Sequence, residues 1–476
     1  MRFFFLVLTI FNAFMFLCIG AFYATPILAK NLLEKDLVDT IQAIQKNDLE
    51  WQANQYAYAA GKQTKGIGRA YILPSLVLSG EHKLVSDSID CNDQSTFCGN
   101  ETYDSTSYQL ELVQPLFNVE KWRVYKEANS SSDYNEMEYQ LAFQNNLYDS
   151  VVLYFEVLRA QEVYQLSLAE YRALAIQRQE IEMKAEAGIV DQIEVIETQA
   201  KYDLALANQL SQFDALKAAM ENLSTRSGLA QLTTMSLSED YPITPLSPDS
   251  EDAWVEKAKK NSLHLKVLNQ SIMLAEREYK KNSAKSYPQV DLFASFGDQQ
   301  QEGGLFVQNG SSEAIGLRLS MPLFSGLGDF YAAKQQKLQF FETSENIAGE
   351  KQQFFQSIKT QFRTITNSRL RVQAREKSLQ SAEHALKAIE LQYDIGSRNR
   401  SDVLQAQQNV FSAKQSYADE KYRYILNTVQ LSLWVGDLSM DYIQGINQWL
   451  VSSNISNISD TLHENQNARL KHVAVN

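Results

Sequence analysis

Residues 391–415 read LQYDIGSRNRSDVLQAQQNVFSAKQ, a charged helical pattern broken once, at Gly396. The stretch 208 positions earlier, 183–207, reads MKAEAGIVDQIEVIETQAKYDLALA. In that register Gly188 answers Gly396, Val195 answers Val403, Gln199 answers Gln407 and Ala205 answers Ala413. It runs on without a gap to Leu223/Leu431, Ser224/Ser432 and Gly228/Gly436. A lone glycine in such a pattern is a turn signal. The same turn met twice implies an internal duplication of a unit of about 210 residues, too long for a solenoid repeat.

Working outward, both halves show the same order of parts. A helical stretch (Leu32–Lys65, Asp252–Lys281) leads to a proline, Pro74 or Pro288, and an alternating segment. A polar loop and a second alternating segment follow, ending in QPLF (114–117) or MPLF (321–324). Then come a long helical stretch, the glycine break and another long helix. The expected division is a leader over 1–29, a first repeat over 30–227 with a β-hairpin at 71–115, a linker over 228–251, a second repeat over 252–436 with a β-hairpin at 287–322, and a C-terminal segment over 437–476. The linker carries YPITPLSPDS, which breaks any helix. The tail after Val451, rich in Asn and Ser, has the composition of a disordered segment.

The alternating segments have period two, the mark of strands. Tyr108, Leu110 and Leu112 oppose Ser107, Gln109 and Glu111; Val290, Leu292, Ala294 and Phe296 oppose Asp291, Phe293 and Ser295; Ile315, Leu317, Leu319 and Met321 oppose Ala314, Gly316, Arg318 and Ser320. Segment 75–84 is less regular, because Val77 falls among Ser75, Ser79, Glu81 and Lys83. Each run has about the ten residues that span an outer-membrane-type bilayer when tilted. Tyr71, Phe117, Trp122, Tyr287, Phe324 and Tyr331 lie near their ends. Hairpins of a soluble sheet with one wet face would show the same pattern.

The helical stretches repeat every seven residues. Ile358, Ile365, Val372, Leu379, Leu386 and Tyr393 form one line; Val403, Val410, Tyr417, Tyr424 and Leu431 form another. The first half repeats them as Leu141, Tyr148, Phe155, Ala169, Ile176 and Met183, interrupted by Glu162, and as Val195, Tyr202, Leu216 and Leu223, interrupted by Gln209. Sevenfold spacing is a coiled-coil seam. From Leu327 to Asp394 the chain would make a rod of about 100 Å if helical throughout.

Composition narrows the function. Among 476 residues the net charge is −13, which argues against a nucleic-acid partner. Arg2, the apolar run from Phe3 to Ile19 and small residues up to Ala24 and Ala29 describe a secretory signal peptide, an uncleaved anchor being the alternative. Beyond the leader lie Cys91 and Cys98, one loop disulfide or two free thiols. No catalytic signature is found. The histidines His82, His264, His384, His463 and His472 form no metal-ligand pattern, and no cofactor motif occurs. The acidic loop 87–104 reads as a solvated surface, with an ion site as the alternative.

Four membrane-length strands cannot close a barrel, and open edges are forbidden in lipid. Strands of this kind in a membrane require several copies of the chain. The paired PLF exits, the doubled strand–helix–helix order and YDIGSRNRSDVLQAQ together resemble the TolC-type outer-membrane efflux and secretion proteins, over about Asn31 to Leu450. That resemblance implies a mixed membrane protein of the bacterial outer membrane: a homotrimer with one twelve-stranded β-barrel, continued by a long α-helical coiled-coil barrel across the periplasm. A mixed equatorial belt would form near 228–251 and after Gly436. The implied function is a passive export duct for protein secretion or small-molecule efflux, not an enzyme. Its implied partners are outer-membrane lipid, a periplasmic adaptor protein and an inner-membrane ABC transporter or proton-driven pump.

By the same resemblance Gly188 and Gly396 are the periplasmic tip turns. Tyr393, Arg398, Asp402 and Glu194 are the gate residues, linking the second helix pair to its neighbours. Two departures weaken that gate: Gln405 stands where the family usually has a second acid, and Ile193 replaces a polar partner. Arg398 and Asp402, four apart, also read as a solvated helix pair. The rival reading of the whole chain is an exported coiled-coil or adhesin stalk without a pore.

Overall fold

The computed structural model of the chain describes residues 34–89, 99–229, 233–303, 309–324 and 326–452. The expected leader over 1–29 and the tail from 453 onward lie outside these residues. Helices α1 (Leu37–Asn47) and α2 (Leu49–Ala70) lead into strands β1 (Ser75–Ile89) and β2 (Gly99–Asn118). Then come α3 (Val119–Glu186) and α4 (Gln192–Ser227). The same order follows again as α5 (Glu251–Asn261), α6 (Leu263–Asn282), β3 (Gln289–Glu302), β4 (Gly310–Ser320), α7 (Gly328–Asp394) and α8 (Arg400–Val435). A short α9 (Met440–Asn447) is the last helix of the described residues. Helices α3 and α7 have 68 and 67 residues, about 100 Å each.

The helix ends are set by local chemistry. Asp36, Asp48, Asn118 and Asn399 accept a backbone N–H of the first turn through their side chains, at 2.7–3.0 Å. Asp48 ends α1 and starts α2, so the helical stretch expected over Leu32–Lys65 is split there. Ser262 divides α5 from α6 in the same way. Pattern reading ran through both breaks, since neither carries Gly or Pro.

The four long strands form one antiparallel sheet in the order β1-β2-β3-β4. Both outer strands, β1 and β4, keep a free edge. Strand β2 ends one residue after the QPLF expected to close it, and the ladder carries a bulge between Pro115 and Phe117. The register places apolar side chains in rows: Leu76, Leu112, Ala294 and Ile315 in one, Leu78, Leu110 and Phe296 in the next. Ser79, Gln109, Glu111, Asp291, Ser295 and Arg318 share the other face. Val77 sits on that polar face, opposite Glu111, which explains the irregular period of β1. Tyr71, Phe117, Trp122, Tyr287, Phe324 and Tyr331 are all exposed near the rod end of the sheet.

Halfway down the rod, α1, α5 and α9 wrap the long helices. Segment 233–237 adds two short ladders there, Thr233–Thr234 beside Glu34–Lys35 and Ser236–Leu237 beside Leu450–Val451. The largest core lies at this level, around Leu37, Ile41, Tyr154, Phe155, Trp254 and Ile443. Along the rod the sevenfold lines fare unequally. In α4 the whole line from Tyr202 to Leu223 is buried, including Gln209, whose amide donates to Tyr164 Oη at 3.5 Å. In α3 the expected line holds at Tyr148 and Phe155 but fails lower down: Ile176 and Met183 are 69% and 56% exposed, while Leu174 and Ile181 are buried instead. Helix α3 touches α2, α4, α6 and α8 in turn, so its packed face changes along its length.

Candidate functional site

The two glycine breaks are built alike. After α3, Gly188 takes φ +71° and its N–H reaches Ala185 O at 2.9 Å, while Ile189 N–H reaches Lys184 O at 2.9 Å. After α7, Gly396 takes φ +76°, with Gly396 N–H on Tyr393 O and Ser397 N–H on Gln392 O, both at 2.9 Å. This paired pattern closes a helix on a left-handed residue, where a Cβ would clash with the backbone. No atom lies within 4 Å of where either Cβ would sit, so the glycines answer to the backbone and not to a neighbour.

The expected gate residues occupy this end of the rod but do not join one another across helix pairs. Arg398 reaches Asp402 Oδ2 at 3.6 Å and donates to Gln392 Oε1 at 3.2 Å. Arg398 is exposed and Asp402 partly so, as in a solvated i,i+4 pair. Glu194 caps nothing: its Oε2 is buried without a hydrogen-bond partner, and Thr198 Oγ1 donates to its main-chain O at 2.8 Å. Tyr393 is half-buried beneath the guanidinium of Arg400, 5.5 Å from its ring centroid. Ile193 is exposed. Gln405 accepts from Lys201 Nζ at 3.4 Å. Cys91 and Cys98 lie outside the described residues.

Arg400 escaped the sequence reading. It is 9% exposed, although the turn around it is open to solvent. Its place three residues before the buried Val403, on the packed face of α8, was the available signal. Higher up, further polar contacts tie the first helix pair to the second. Gln177 donates to Gln407 Oε1 at 2.8 Å and Lys201 to Gln408 Oε1 at 2.8 Å. They border a cavity of about 280 Å³ between α3, α4 and α8, lined by Glu170, Leu174, Lys201, Ala205, Leu404 and Gln408 among others. Burial pushes the Glu170 carboxyl above its ordinary value, and Lys201 partly opposes that.

At the opposite end, the polar face of the sheet carries a charged group. Arg318 lies over the Phe293 ring, 4.9 Å from its centroid, and 3.8 Å from Glu111 Oε1. Asp291 is its direct cross-strand neighbour. Gly316, opposite Phe293, leaves room for that ring: a Cβ there would stand 3.0 Å from it.

Among the described residues no group of three or more His, Cys, Asp or Glu is placed to hold a metal. No described helix is long and apolar enough to cross a membrane.

Comparison with known proteins agrees with this geometry. The family model described as outer membrane efflux protein matches residues 40–229 and again 254–437. The alkaline protease secretion protein AprF of Pseudomonas aeruginosa is 28% identical over 424 residues, 88% of each chain. The outer membrane protein TolC of Escherichia coli is 26% identical over 419 residues, 84% of this chain and 82% of that one. Among solved structures, the CmeC outer membrane channel of Campylobacter jejuni shares the fold with a TM-score of 0.73 at 16% identity, over 88% of this chain and 90% of its own.

Proposed function

The chain belongs to the outer membrane efflux protein family, and from that premise we infer how it works as an outer-membrane channel that extends into the periplasm and exports cargo by type I secretion or efflux. One observation carries the reading: a four-stranded sheet, apolar on one face and polar on the other, runs straight into helices of 68 and 67 residues and keeps both edges open. Such edges need partners in lipid. Three copies would close twelve strands around a wet lumen lined by the face of Glu111, Asp291 and Arg318. The helices would continue that wall across the periplasm.

The matching order of parts, and the double match of the family model, support two repeats over 30–227 and 252–436, joined by 228–251 and derived from one duplicated unit. The leader over 1–29 would direct export, and 437–476 would complete the equatorial level. The duct itself does no chemistry, so energy must come from an inner-membrane ABC transporter or proton-driven pump. A periplasmic adaptor would join that pump to the tip. Ile189, Ile193, Ile196, Leu391 and Ile395 stand exposed there, apolar surface that a coiled-coil partner would cover. Tyr393, Arg398, Asp402 and Glu194 would hold the tip shut. The Arg398–Asp402 pair is weak and reached by solvent, so Arg398 could exchange Asp402 for a carboxylate of a neighbouring copy at little cost. The stalk reading finds no support, since a stalk has no use for a membrane-length sheet with a polar face.

The test is membrane fractionation followed by planar-bilayer recording of the purified full chain. The duct reading expects an outer-membrane trimer that resists SDS until heated and conducts ions. It also expects Tyr393→Phe combined with Arg398→Ser to raise the conductance. A water-soluble monomer would overturn the reading.

A further inference from the structure

We propose that Arg400 is a positioning residue of the closed tip: stacked on the Tyr393 ring and set on the face of α8 turned toward α3, it makes the two turns of one copy move as a single body. The inference rests on the duct reading and adds a lock inside each copy to the gate between copies.

Four observations meet at this side chain. First, it is buried where its surroundings are not. Ile395, Gly396, Ser397, Arg398 and Asn399 are all exposed, while Arg400 is 9% exposed. A guanidinium is rarely buried without something to hold it there. Second, one side of it is taken by an aromatic face, with the Tyr393 centroid at 5.5 Å. That contact staples the start of α8 to the end of α7 across the Gly396 turn. Third, Arg400 lies one helical turn before Leu404, which packs with Leu174 of α3, so it shares the face of α8 turned toward the first helix pair. The Arg400 charge helps to hold the Glu180 carboxylate in its ionised form, after the larger effect of Lys184, whose ammonium donates to Glu180 Oε1 at 2.6 Å. Lys184 feels both Arg400 and Tyr393. The last two turns of α3 therefore feel the charge of Arg400. Fourth, Arg400 Nε is buried without a hydrogen-bond partner, so cation–ring stacking and charge, rather than hydrogen bonding through Nε, hold the group.

The consequence separates two roles for Tyr393. A gate that works through the phenol needs the hydroxyl. A lock that works through Arg400 needs only the ring. Planar-bilayer recording of the full chain distinguishes them, with trimer migration in SDS as the assembly check. Arg400→Gln and Tyr393→Leu should each raise the open-state population by roughly fivefold, the factor expected when a cation–π contact to a half-exposed ring is lost. The double variant should add little, because both changes remove one contact. Arg400→Lys, which keeps a cation over the ring, should stay near the parent, and Tyr393→Phe, which keeps the ring, should open the tip less than Tyr393→Leu does. Equal conductance of Arg400→Gln and parent, or effects of the two single changes that multiply in the double, would overturn the proposal. Should Arg400→Gln fail to assemble, Tyr393→Leu against Tyr393→Phe decides: if the two conduct alike, the ring holds no lock. A parent chain that conducts nothing would instead count against the duct reading.

Discussion

Gly396 and Gly436 close their helices with the same hydrogen bonds and similar φ, +76° and +81°, yet their replacements should not cost the same. At Gly396 a Cβ meets open space; at Gly436 it would stand 2.6 Å from the main-chain O of Asn261. Gly396→Ala should cost about 1 kcal/mol, the left-handed backbone alone. Gly436→Ala should cost at least about 2 kcal/mol more, because α5 must shift as well. Urea unfolding followed by helical circular dichroism measures both. Glu170 offers a pH test. Its folded carboxyl lies above its ordinary 4.5 because of burial, so the folded chain holds that proton more tightly than the unfolded one. Its contribution to stability is therefore greatest below that value and falls as pH rises toward the folded pKa. Glu170→Gln should flatten this part of the stability–pH curve; an unchanged slope would show that Glu170 carries none of it. Residues of this kind differ in legibility. A turn that needs φ > 0 leaves its mark as glycine, so Gly188 and Gly396 could be read directly. Arg400 was harder, because period alone hinted at burial while the α8 face it shares with Leu404 packs on Leu174 of α3, more than 200 residues away in sequence.

Among elements, strands were the most legible. Period two showed which faces of β2, β3 and β4 are apolar, because each strand has one environment per face along its whole length. The α4 and α8 lines were legible for a similar reason: each packs chiefly on one long partner, α3 or α7. The α3 line was not, because a helix that changes partner rotates its packed stripe. The divided helices at Asp48 and Ser262 were hidden too, as their breaks carry good capping residues and no breaker. One apparent flaw in the α3 line has a use. Glu162, the polar exception, accepts from Tyr422 Oη at 2.7 Å and pairs with Lys421 Nζ at 3.4 Å, binding α3 to α8. Lys421 is only 7% exposed in its side chain, so removal of its partner leaves a buried charge. Glu162→Leu should destabilise by about 2–3 kcal/mol, less than a fully buried pair because Glu162 keeps some solvent. Glu162→Leu with Lys421→Leu should recover most of that loss. Thermal denaturation of the four proteins tests the cycle, and additive single effects would dismiss the coupling.

For the whole molecule the decisive physics is closure. A four-stranded sheet with an apolar face has nowhere to hide its edges, so the missing wall must come from further copies. No count of strands within one chain could state how many, because four strands per copy serve eight as well as twelve; the proposed number of three comes from the family resemblance and not from the strands. Closure also decides which face is the lumen, and that face carries unequal charge. Glu81 and Lys83 cancel on β1, whereas Glu111 and Asp291 outweigh Arg318, leaving one net negative charge per copy at the rod end of the sheet. Within a narrow wet passage such rings repel one sign of ion and concentrate the other. Arg318→Gln should therefore raise the preference for cations, read as a larger reversal potential in a salt gradient across a planar bilayer. Asp291→Asn should lower it. Both shifts should shrink at high salt, where the rings are screened. The contrast with the apolar face makes the test strict: Leu317→Gln, one residue from Arg318 but on the other side of β4, should leave ion selectivity unchanged. If Arg318→Gln and Leu317→Gln gave the same reversal potential, the polar face would not line the passage, and the assignment of lumen and lipid would have to be reversed or abandoned.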